Sequence, residues 1–389
     1  MNKNYKMLAT TLFGLEDVLA TELRNLGAQN VQIGNRSVSF IGDKGFMYKA
    51  NLALRTAIRI LKPIRSFSVD NEQTLYNKLK NISWEEYLGS KSTFAINAVV
   101  HSKEFTSNSH YISLKTKDAI ADYFREKYNE RPNVDLKYPD VRIHVYIQHK
   151  TCIVSLDSSG DSLHKRGYRV NTNIAPINEV LAAGLILLSG YKGNSNFIDP
   201  MCGSGTILIE ATMIAANIPA NINRPEFGFE KWRNYDNSLF EKIHDSLLKR
   251  VQSPRFKITG FDRAPSAVRK AKENIENANL SDFIKVYQID FFESKKQVQG
   301  PTTILFNPPY GERLKIDTTS FYKRIGDTLK HNYPSTTAWF ITSDIEAIKY
   351  VGLKTSRRIP MRNADLECRF VKYEMYEGSR KFKKLKNNN

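Results

Sequence analysis

The chain has 389 residues, enough for two or three domains that each bury a hydrophobic core. Its 41% hydrophobic and 25% charged residues are typical of a soluble globular protein, and it contains no apolar run long enough to span a bilayer. With 58 basic and 40 acidic residues, the net charge is +18, which indicates a polyanionic partner, with a membrane surface as the competing explanation.

The terminus and the cysteines indicate the compartment. The first residues lack the apolar core of a signal peptide. Cys152, Cys202 and Cys368 lie far apart and show no metal-ligand spacing. We therefore expect a cytoplasmic protein with no disulfide, no bound metal and no membrane contact.

The first 160 residues predict two small α+β units. In residues 1–65 we expect a strand over 5–12, a helix, two short strands and a second helix over about 45–61. In residues 66–160 we expect a strand over 94–100, a helix over 116–128, and a hairpin of two strands joined by Gln148-His149-Lys150.

A polar linker follows at residues 161–175. It interleaves basic residues with an aromatic one, a combination that suits phosphate contacts and base stacking. The predicted RNA-binding residues are Lys165, Arg166, Tyr168 and Arg169. A solvated loop is the alternative interpretation of the same composition.

From residue 176 to 376, strands alternate with helices, a pattern typical of a doubly wound α/β sheet. We expect Pro176 to open a helix that runs through Leu188. Residues 217–236 have no regular pattern, and about 353–376 predict an antiparallel hairpin. The basic residues 377–389 predict a flexible arm that touches nucleic acid.

Four motifs of this half follow predicted strands, where open α/β sheets bind their ligands. The first is a strand, a Gly-rich turn and a helix, in which Gly203 and Gly205 allow a ligand to approach the backbone. Asp262 and Asp290 end the next two strands, where the first carboxylate suits ribose hydroxyls and the second an adenine amine. The structural alternatives are an ordinary strand-to-helix turn for the Gly-rich motif and a helix-capping acid for Asp262.

The fourth motif is Asn307-Pro308-Pro309-Tyr310. Two successive prolines end the strand and fix an extended turn. The Asn307 amide oxygen and the Pro308 carbonyl are acceptors that suit an exocyclic amine, and holding both amine hydrogens makes the nitrogen a better nucleophile. Tyr310 suits stacking on a base that has been flipped out of its helix.

These motifs together resemble a class I S-adenosylmethionine-dependent methyltransferase. The preceding segment is similar to a THUMP RNA-binding domain in its residues 117–120, 131–132, 139–141, 157–160 and 163–169. Nearly the whole chain resembles the RlmL-type family, guanine-N2 methyltransferases of 23S ribosomal RNA. The resemblance implies a Rossmann-like methyltransferase domain at 176–376, preceded by a ferredoxin-like unit and a THUMP domain. Some bacterial relatives carry a further C-terminal methyltransferase domain. This sequence ends before any such domain, so the resemblance implies only the single N2-methylating activity.

The resemblance also implies roles for individual residues. Catalysis would depend on Asn307, Pro308 and Tyr310. S-adenosylmethionine would be bound by Asp199, Cys202, Gly203, Ser204, Gly205, Thr206, Asp262, Asp290 and Asn307. Transfer from a sulfonium requires neither a covalent nucleophile nor a metal, so catalysis would depend on positioning and electrostatics.

Several alternatives remain open. THUMP domains also occur in tRNA-modifying enzymes, so a tRNA guanine is the second substrate. An adenine amine or a protein glutamine amide suits the same clamp, although the basic charge disfavours a protein substrate. A nicotinamide dehydrogenase requires a third glycine where Leu208 stands. A non-catalytic RNA-binding or ribosome-assembly factor has no need of an amine clamp.

Overall fold

The computed structural model describes residues 4–102, 105, 108–169, 176–309 and 317–376. The chain forms two compact units. Unit 1 consists of Met1–Thr11, Leu19–Leu163 and Arg224–Ser246; unit 2 consists of Leu12–Val18, His164–Asn223 and Leu247–Asn389. This division differs from the predicted domain limits at residues 12–18 and 224–246, and those limits stay predictions.

Within the described residues, eight strands of unit 1 form one mixed sheet in the order β2-β3-β1-β4-β8-β7-β5-β6. The strands are β1 (Tyr5–Thr10), β2 (Gln29–Gly34), β3 (Ser37–Gly42), β4 (Arg59–Ser68), β5 (Thr93–His101), β6 (Asn133–Val134), β7 (Val141–Gln148) and β8 (Thr151–Asp157). The helices are α1 (Glu16–Leu26), α2 (Lys44–Ala53), α3 (Glu72–Lys80), α4 (Ser109–Tyr128) and α7 (Asn237–Leu248), of which α1 and α7 each cross the division between the units. The two predicted α+β units therefore share one continuous sheet.

Two expectations for unit 1 had different outcomes. The predicted hairpin is confirmed, since β7 and β8 pair antiparallel from Ile143↔Leu156 to Gln148↔Thr151. The helix predicted over 45–61 is wrong in its second half, because α2 ends at Ala53 and Leu54 is already extended. The next apolar residues belong to β4, which pairs with β1 and β8 and buries Ile60 and Leu61 at the centre of the sheet.

The segment after β8 is held by buried polar contacts. The Ser158 hydroxyl donates to the Ile60 carbonyl at 2.8 Å and accepts from the Asn51 amide at 2.9 Å. The Ser159 hydroxyl donates to the Asn51 amide oxygen at 2.7 Å. Each of these polar side chains is paired inside the core, so the contacts join α2 to β4 and to the segment that follows β8.

The irregular segment predicted at 217–236 packs in part on α2. The ring of Phe229 stacks on Tyr48 with 4.4 Å between centroids, and Phe227 and Phe240 extend the aromatic cluster. At Gly160 and Gly228 the two backbones meet so closely that a Cβ on either would lie under 3.0 Å from the other. Aromatic burial and this close approach explain why residues 224–246 group with unit 1.

Unit 2 contains a sheet in the order β11-β10-β9-β12-β13-β15-β14. Its strands are β9 (Asn196–Asp199), β10 (Ile258–Asp262), β11 (Ile284–Gln288), β12 (Thr302–Phe306), β13 (Thr336–Thr342), β14 (Arg357–Asn363) and β15 (Leu366–Met375), and its helices are α5 (Glu179–Ser189), α6 (Thr206–Ala215), α8 (Pro265–Asn277) and α9 (Thr318–Asn332). Strands β9 to β13 are parallel, and the predicted terminal hairpin adds an antiparallel pair at one edge. The predicted doubly wound α/β fold is confirmed.

The start of α5 differs from the expectation. Asn178 caps the helix, since its side chain accepts from the backbone N–H groups of Val180 and Leu181. Pro176 lies outside the helix, two residues before that cap. The Asn178 side chain can accept hydrogen bonds from the first N–H groups of the helix, whereas a proline has no side-chain acceptor. The helix therefore begins after Asn178.

Among the described residues, none of the helices combines the length and apolarity needed to cross a bilayer.

Helix α9 approaches the chain after β13 at a glycine. A Cβ on Gly326 would lie 1.7 Å from the Val351 carbonyl oxygen. Around this contact, Phe321, Ile325 and Leu329 pack into the core of unit 2. The backbone contact therefore sets how close α9 lies to the 3-10 helix Ile345–Val351 that follows β13.

We predict that Gly326→Ala lowers the free energy of unfolding by about 1–3 kcal/mol or more, because the added methyl forces two backbones apart. Urea denaturation of the full chain measures the loss. Lys323→Ala, on the exposed side of the same helix, is the control and should change stability by no more than about 0.5 kcal/mol. Equal stability of the two variants would contradict the close approach.

Candidate active site

The carboxyl ends of β10, β9 and β12 lie side by side in the sheet of unit 2. The parallel register aligns Gly260 with Asp199 and Ile304 with Ile198, so the residues that follow these strands reach the same edge. A cleft of about 290 Å³ opens there. The predicted residues that line it are Asp199, Cys202, Gly203, Ser204, Thr206, Asp262, Asp290, Asn307 and Pro308.

The Gly-rich turn forms the floor of this cleft. Gly203 and Gly205 have φ of +55° and +82°, which L side chains rarely adopt. The Gly205 N–H donates to the Cys202 carbonyl at 2.8 Å and closes the turn, and α6 begins at the next residue. Gly205 itself does not line the cleft; a Cβ there would lie 3.3 Å from Ala271 of α8, so this glycine serves helix packing.

Asp199 has an unpaired oxygen in the cleft. Its side chain is 1% exposed; Oδ1 accepts from the Met201 N–H at 3.2 Å, and Oδ2 is buried without a hydrogen bond. Burial raises the pKa of this carboxyl well above its usual range, and the nearby Asp262 carboxylate raises it further. A cationic donor at Oδ2 would supply the missing partner, so the site is suited to an ammonium group.

The other two carboxylates shape the loops of the cleft. Asp262 accepts from the Gly203 N–H and from the Ala264 N–H, both at 2.9 Å, and thereby ties the Gly-rich turn to the end of β10. Asp290 caps a short 3-10 helix by accepting from the Phe292 N–H at 3.0 Å. Each carboxylate oxygen can accept more than one hydrogen bond, so both keep capacity for ligand hydroxyl or amine groups.

The end of β12 contributes the remaining wall. Asn307 follows the strand directly, and its Oδ1 is buried without a hydrogen bond. Pro308 and Pro309 also line the cleft. Tyr310, the third predicted catalytic residue, lies outside the described residues.

Ten other residues line the cleft that the sequence analysis did not predict as site residues. These are Pro176, Ile177, Pro200, Met201, Ile207, Arg263, Phe291, Phe292, Pro309 and Phe321. Behind the turn, the buried Asn274 amide of α8 donates to the Ser204 carbonyl at 3.0 Å. Asn274 could have been found in the sequence, because it is a polar residue at an apolar position of an amphipathic helix. The aromatic residues that line the cleft could not, because in sequence they look like core residues.

The predicted RNA-binding segment is largely internal, which corrects the expectation for two of its residues. Arg166 and Tyr168 are each 1% exposed. Both contact the buried Glu210 of α6: Arg166 Nε lies 3.3 Å from Oε1, and the Tyr168 hydroxyl donates to the same oxygen at 3.1 Å. Burial leaves neither side chain available to RNA in this structure, because the carboxylate inside unit 2 requires them as partners.

The other two residues of the segment differ from one another. Lys165 is exposed. Arg169 is mostly buried and pairs with Glu179 at 3.0 Å. Its guanidinium also donates to the Thr206 hydroxyl at 2.8 Å and to the Ile177 carbonyl at 3.1 Å, both of which belong to cleft residues. Arg169 therefore ties the segment before α5 to the helix that follows the Gly-rich turn.

We predict that Arg166→Met lowers the free energy of unfolding by about 3–5 kcal/mol, because it strands the buried Glu210 charge. Urea denaturation tests this. Arg269→Met is the matched control, since the Arg269 side chain is 73% exposed, and should change stability by no more than about 0.5 kcal/mol. Adding Glu210→Gln to Arg166→Met should recover part of the loss; an Arg166→Met variant as stable as the control would contradict the buried pair.

Family models match three successive parts of the chain. Residues 6–61 match an RlmL ferredoxin-like domain, residues 69–157 match a THUMP domain, and residues 166–372 match UPF0020, described as an RMKL-like methyltransferase domain. The chain belongs to the UPF0020 methyltransferase family. The ferredoxin-like and THUMP matches confirm the two domain types that the resemblance implied for the first half.

Curated relatives cover the chain nearly end to end. A candidate RNA methyltransferase of Synechocystis is 35% identical over 95% of this chain and 96% of its own length. Proteins named ribosomal RNA large subunit methyltransferase K/L, from Buchnera aphidicola and Marinomonas, are 35% and 33% identical over 96% of this chain. The chain spans about half the length of these two relatives, 54% and 53% respectively.

Solved structures share the fold. A candidate methyltransferase, SMU.472, in complex with S-adenosylhomocysteine has a TM-score of 0.86 at 30% identity and covers 97% of this chain and 100% of its own. A protein from Listeria monocytogenes described as an N6-adenine-specific DNA methylase has a TM-score of 0.85 at 28% identity, and covers 96% of this chain and 97% of its own.

Proposed function

We propose that this protein transfers a methyl group from S-adenosylmethionine to the exocyclic N2 amine of a guanine in 23S rRNA, in the cytoplasm. The buried, unpaired Asn307 amide oxygen carries the proposal, because it lines the same cleft as the Gly-rich turn and the unpaired Asp199 oxygen. An acceptor that the protein leaves without a donor suits an amine of the substrate.

The residues present fit the cofactor. Bound S-adenosylmethionine supplies a methyl group on a sulfonium sulfur, a good leaving group that requires no metal. Asp199 Oδ2 would accept from its ammonium group, and Cys202, Gly203 and Ser204 of the turn that Gly205 closes would surround its methionine part. Asp262 would accept from the ribose hydroxyls and Asp290 from the adenine amine, since both side chains line the cleft.

The protein's part in the transfer is to position the acceptor. Asn307 Oδ1 and the Pro308 carbonyl would hold the two hydrogens of the guanine amine, which favours a pyramidal nitrogen with its lone pair free. The base must first leave its stack, and Tyr310 is proposed to stack on it. Proton loss follows methylation, because the amine becomes acidic only then, so a strong general base is unnecessary.

The substrate is inferred from several independent features. The K/L relatives carry a name that describes large-subunit rRNA, and the THUMP match and the net charge of +18 both suit RNA. A tRNA guanine is the second candidate, because THUMP domains occur in tRNA-modifying enzymes. The name of the Listeria neighbour adds a DNA adenine amine, which suits the same acceptors.

Transfer of labelled methyl groups to a panel of nucleic acids distinguishes these substrates. The panel contains 23S rRNA without N2-methylguanosine, unmodified tRNA, and DNA without methylated adenine. Nucleoside analysis identifies the methylated product. We expect N2-methylguanosine in 23S rRNA alone. N2-methylguanosine only in tRNA would replace the substrate, N6-methyladenine in DNA would replace the reaction, and binding of all three without transfer would favour a non-catalytic factor.

We predict that Asn307→Ala lowers kcat by about 100- to 1000-fold, the usual cost of removing one group that stabilises the transition state. Calorimetric titration with S-adenosylhomocysteine should give a Kd close to that of the parent, which separates the amine clamp from cofactor binding. Asn277→Ala, at an exposed position at the end of α8, is the matched control. Unchanged turnover in Asn307→Ala would reject the clamp.

A further inference from the structure

The terminal hairpin of unit 2, β14 and β15, projects past the ligand edge of the sheet. Asn307 follows Phe306, which pairs with Phe340 of β13, and Phe340 pairs in turn with Val371 of β15. The pairing of β13 with β15 ends at Thr342↔Arg369, whereas β14 and β15 continue pairing to Asn363↔Leu366. The hairpin therefore extends three residues beyond the end of β13.

The register also gives the position of this overhang. Asn307 is level with Phe370, so Leu366 lies about 13 Å farther toward the ligand side at ~3.3 Å per residue. Two strand spacings of ~4.8 Å separate β12 from β15. The tip of the overhang thus lies about 16 Å from Asn307, about 10 Å across the sheet and about 13 Å along it, within reach of nucleotides next to a base held at Asn307.

One face of the hairpin carries arginines. The cross-strand pairs Arg358↔Val371, Pro360↔Arg369 and Arg362↔Glu367 place their side chains on the same face. Arg358 and Arg362 are exposed, and Arg369 pairs with Glu367 at 2.8 Å. Residues 354–369 hold five basic and two acidic side chains, including Asp365 at the tip, which leaves a net charge of +3.

The opposite face is covered at its centre, where Met361, Cys368 and Phe370 are buried. Gly14, in the segment that belongs to unit 2, lies so close to β14 that a Cβ on it would be 3.1 Å from the Met361 sulfur and 3.3 Å from the Pro360 carbonyl. Phe370 stacks on Trp339 with 4.6 Å between centroids. At the centre of the hairpin this face is closed by packing, and its exposed residues, Arg357 and Leu366, lie at the two ends, whereas Arg358 and Arg362 are both exposed on the arginine face.

The edge strand also discourages a protein strand as partner. β14 is the last strand of the sheet, and Pro360 at its centre has no N–H to offer. Proline and charged side chains on an edge are features that prevent edge-to-edge pairing. What remains attractive is the positive charge, and its complement is a phosphate backbone.

We propose that the β14–β15 hairpin is an RNA-binding element that holds the backbone flanking the extruded target base through Arg358 and Arg362. The identity of the partner rests on the proposed function. The exposed guanidinium groups bind phosphates, whereas Arg369 is held by Glu367 of its own strand. Arg362 lies on the overhang and Arg358 lies level with Phe306, both on β14, about 14 Å across the sheet from β12.

The test compares the full chain with Arg358→Gln/Arg362→Gln in RNA binding at several salt concentrations. We expect Kd for 23S rRNA fragments to rise about tenfold, and the slope of log K against log salt to fall by roughly 1.4 to 1.8, the loss of two phosphate contacts. KM for RNA should rise while kcat at saturating RNA and Kd for S-adenosylhomocysteine stay unchanged, a split that damage to the fold would not produce.

Two further variants complete the design. Arg269→Gln/Lys272→Gln removes the same charge from exposed positions on α8 and should leave Kd and slope as in the parent. Arg358→Lys/Arg362→Lys keeps the charge and should restore most of the salt slope. An unchanged Kd in the glutamine variant would overturn the proposal, and so would an equal rise of Kd in the α8 control. The proposal would also fall if the parent chain were a dimer and the glutamine variant a monomer, because the arginines would then belong to a dimer interface.

The experiments can reject the hairpin proposal and the proposed methyl transfer independently of each other. If the hairpin variant loses rRNA binding while the parent transfers no methyl group to guanine, the hairpin stands and the proposed reaction falls. If the parent methylates guanine with a KM that the hairpin variant shares, the reaction stands and the hairpin is rejected. A parent chain that binds no RNA rejects both.

Discussion

Two buried acceptors without donors define the cleft of unit 2. A buried oxygen that makes no hydrogen bond costs about 1–3 kcal/mol, and both Asp199 Oδ2 and Asn307 Oδ1 are in this condition. They follow neighbouring parallel strands, so the same backbone pairing that builds the sheet brings them to one edge. The protein bears this cost at a place where a ligand with cationic and amine donors would remove it.

A second layer of polar contacts holds the cleft in shape. Asp262 fixes the Gly203 N–H, Asn274 fixes the Ser204 carbonyl, and Arg169 joins Thr206 to the segment before α5. Burial raises the pKa of Glu179, the partner of Arg169, to about 7, while the guanidinium opposes that rise. These contacts position backbone that the ligand would meet, so little reorganisation is required when it binds.

The arginines of unit 2 divide into internal and external sets. Arg166 and Arg169 neutralise carboxylates of α6 and α5 and so contribute to the fold around the cleft. Arg358 and Arg362 are exposed on the hairpin of β14 and β15. A net charge of +18 therefore gives the sign of the partner, while burial decides which cations are free to meet it.

Local pattern was sufficient for much of the chain. Strand and helix alternation predicted the doubly wound sheet, and the prolines and glycines predicted the turns, because these residues restrict or free the backbone wherever they stand. The resemblance carried by residues 199–206 and 307–310 predicted the methyltransferase family. Asp199, Asp262, Asp290 and Asn307 were selected for their place after strands, which depends only on chain order.

Tertiary structure decided what depends on distant partners. Residues 59–61 follow a helical pattern but join β4, because strands β1 and β8 on either side offer backbone hydrogen bonds and a buried place. The basic segment at 164–169 has the composition of a surface loop, yet Glu210, 44 residues beyond Arg166, holds it inside. Composition states what a side chain can bind, whereas only packing determines which partner is near enough to bind it first.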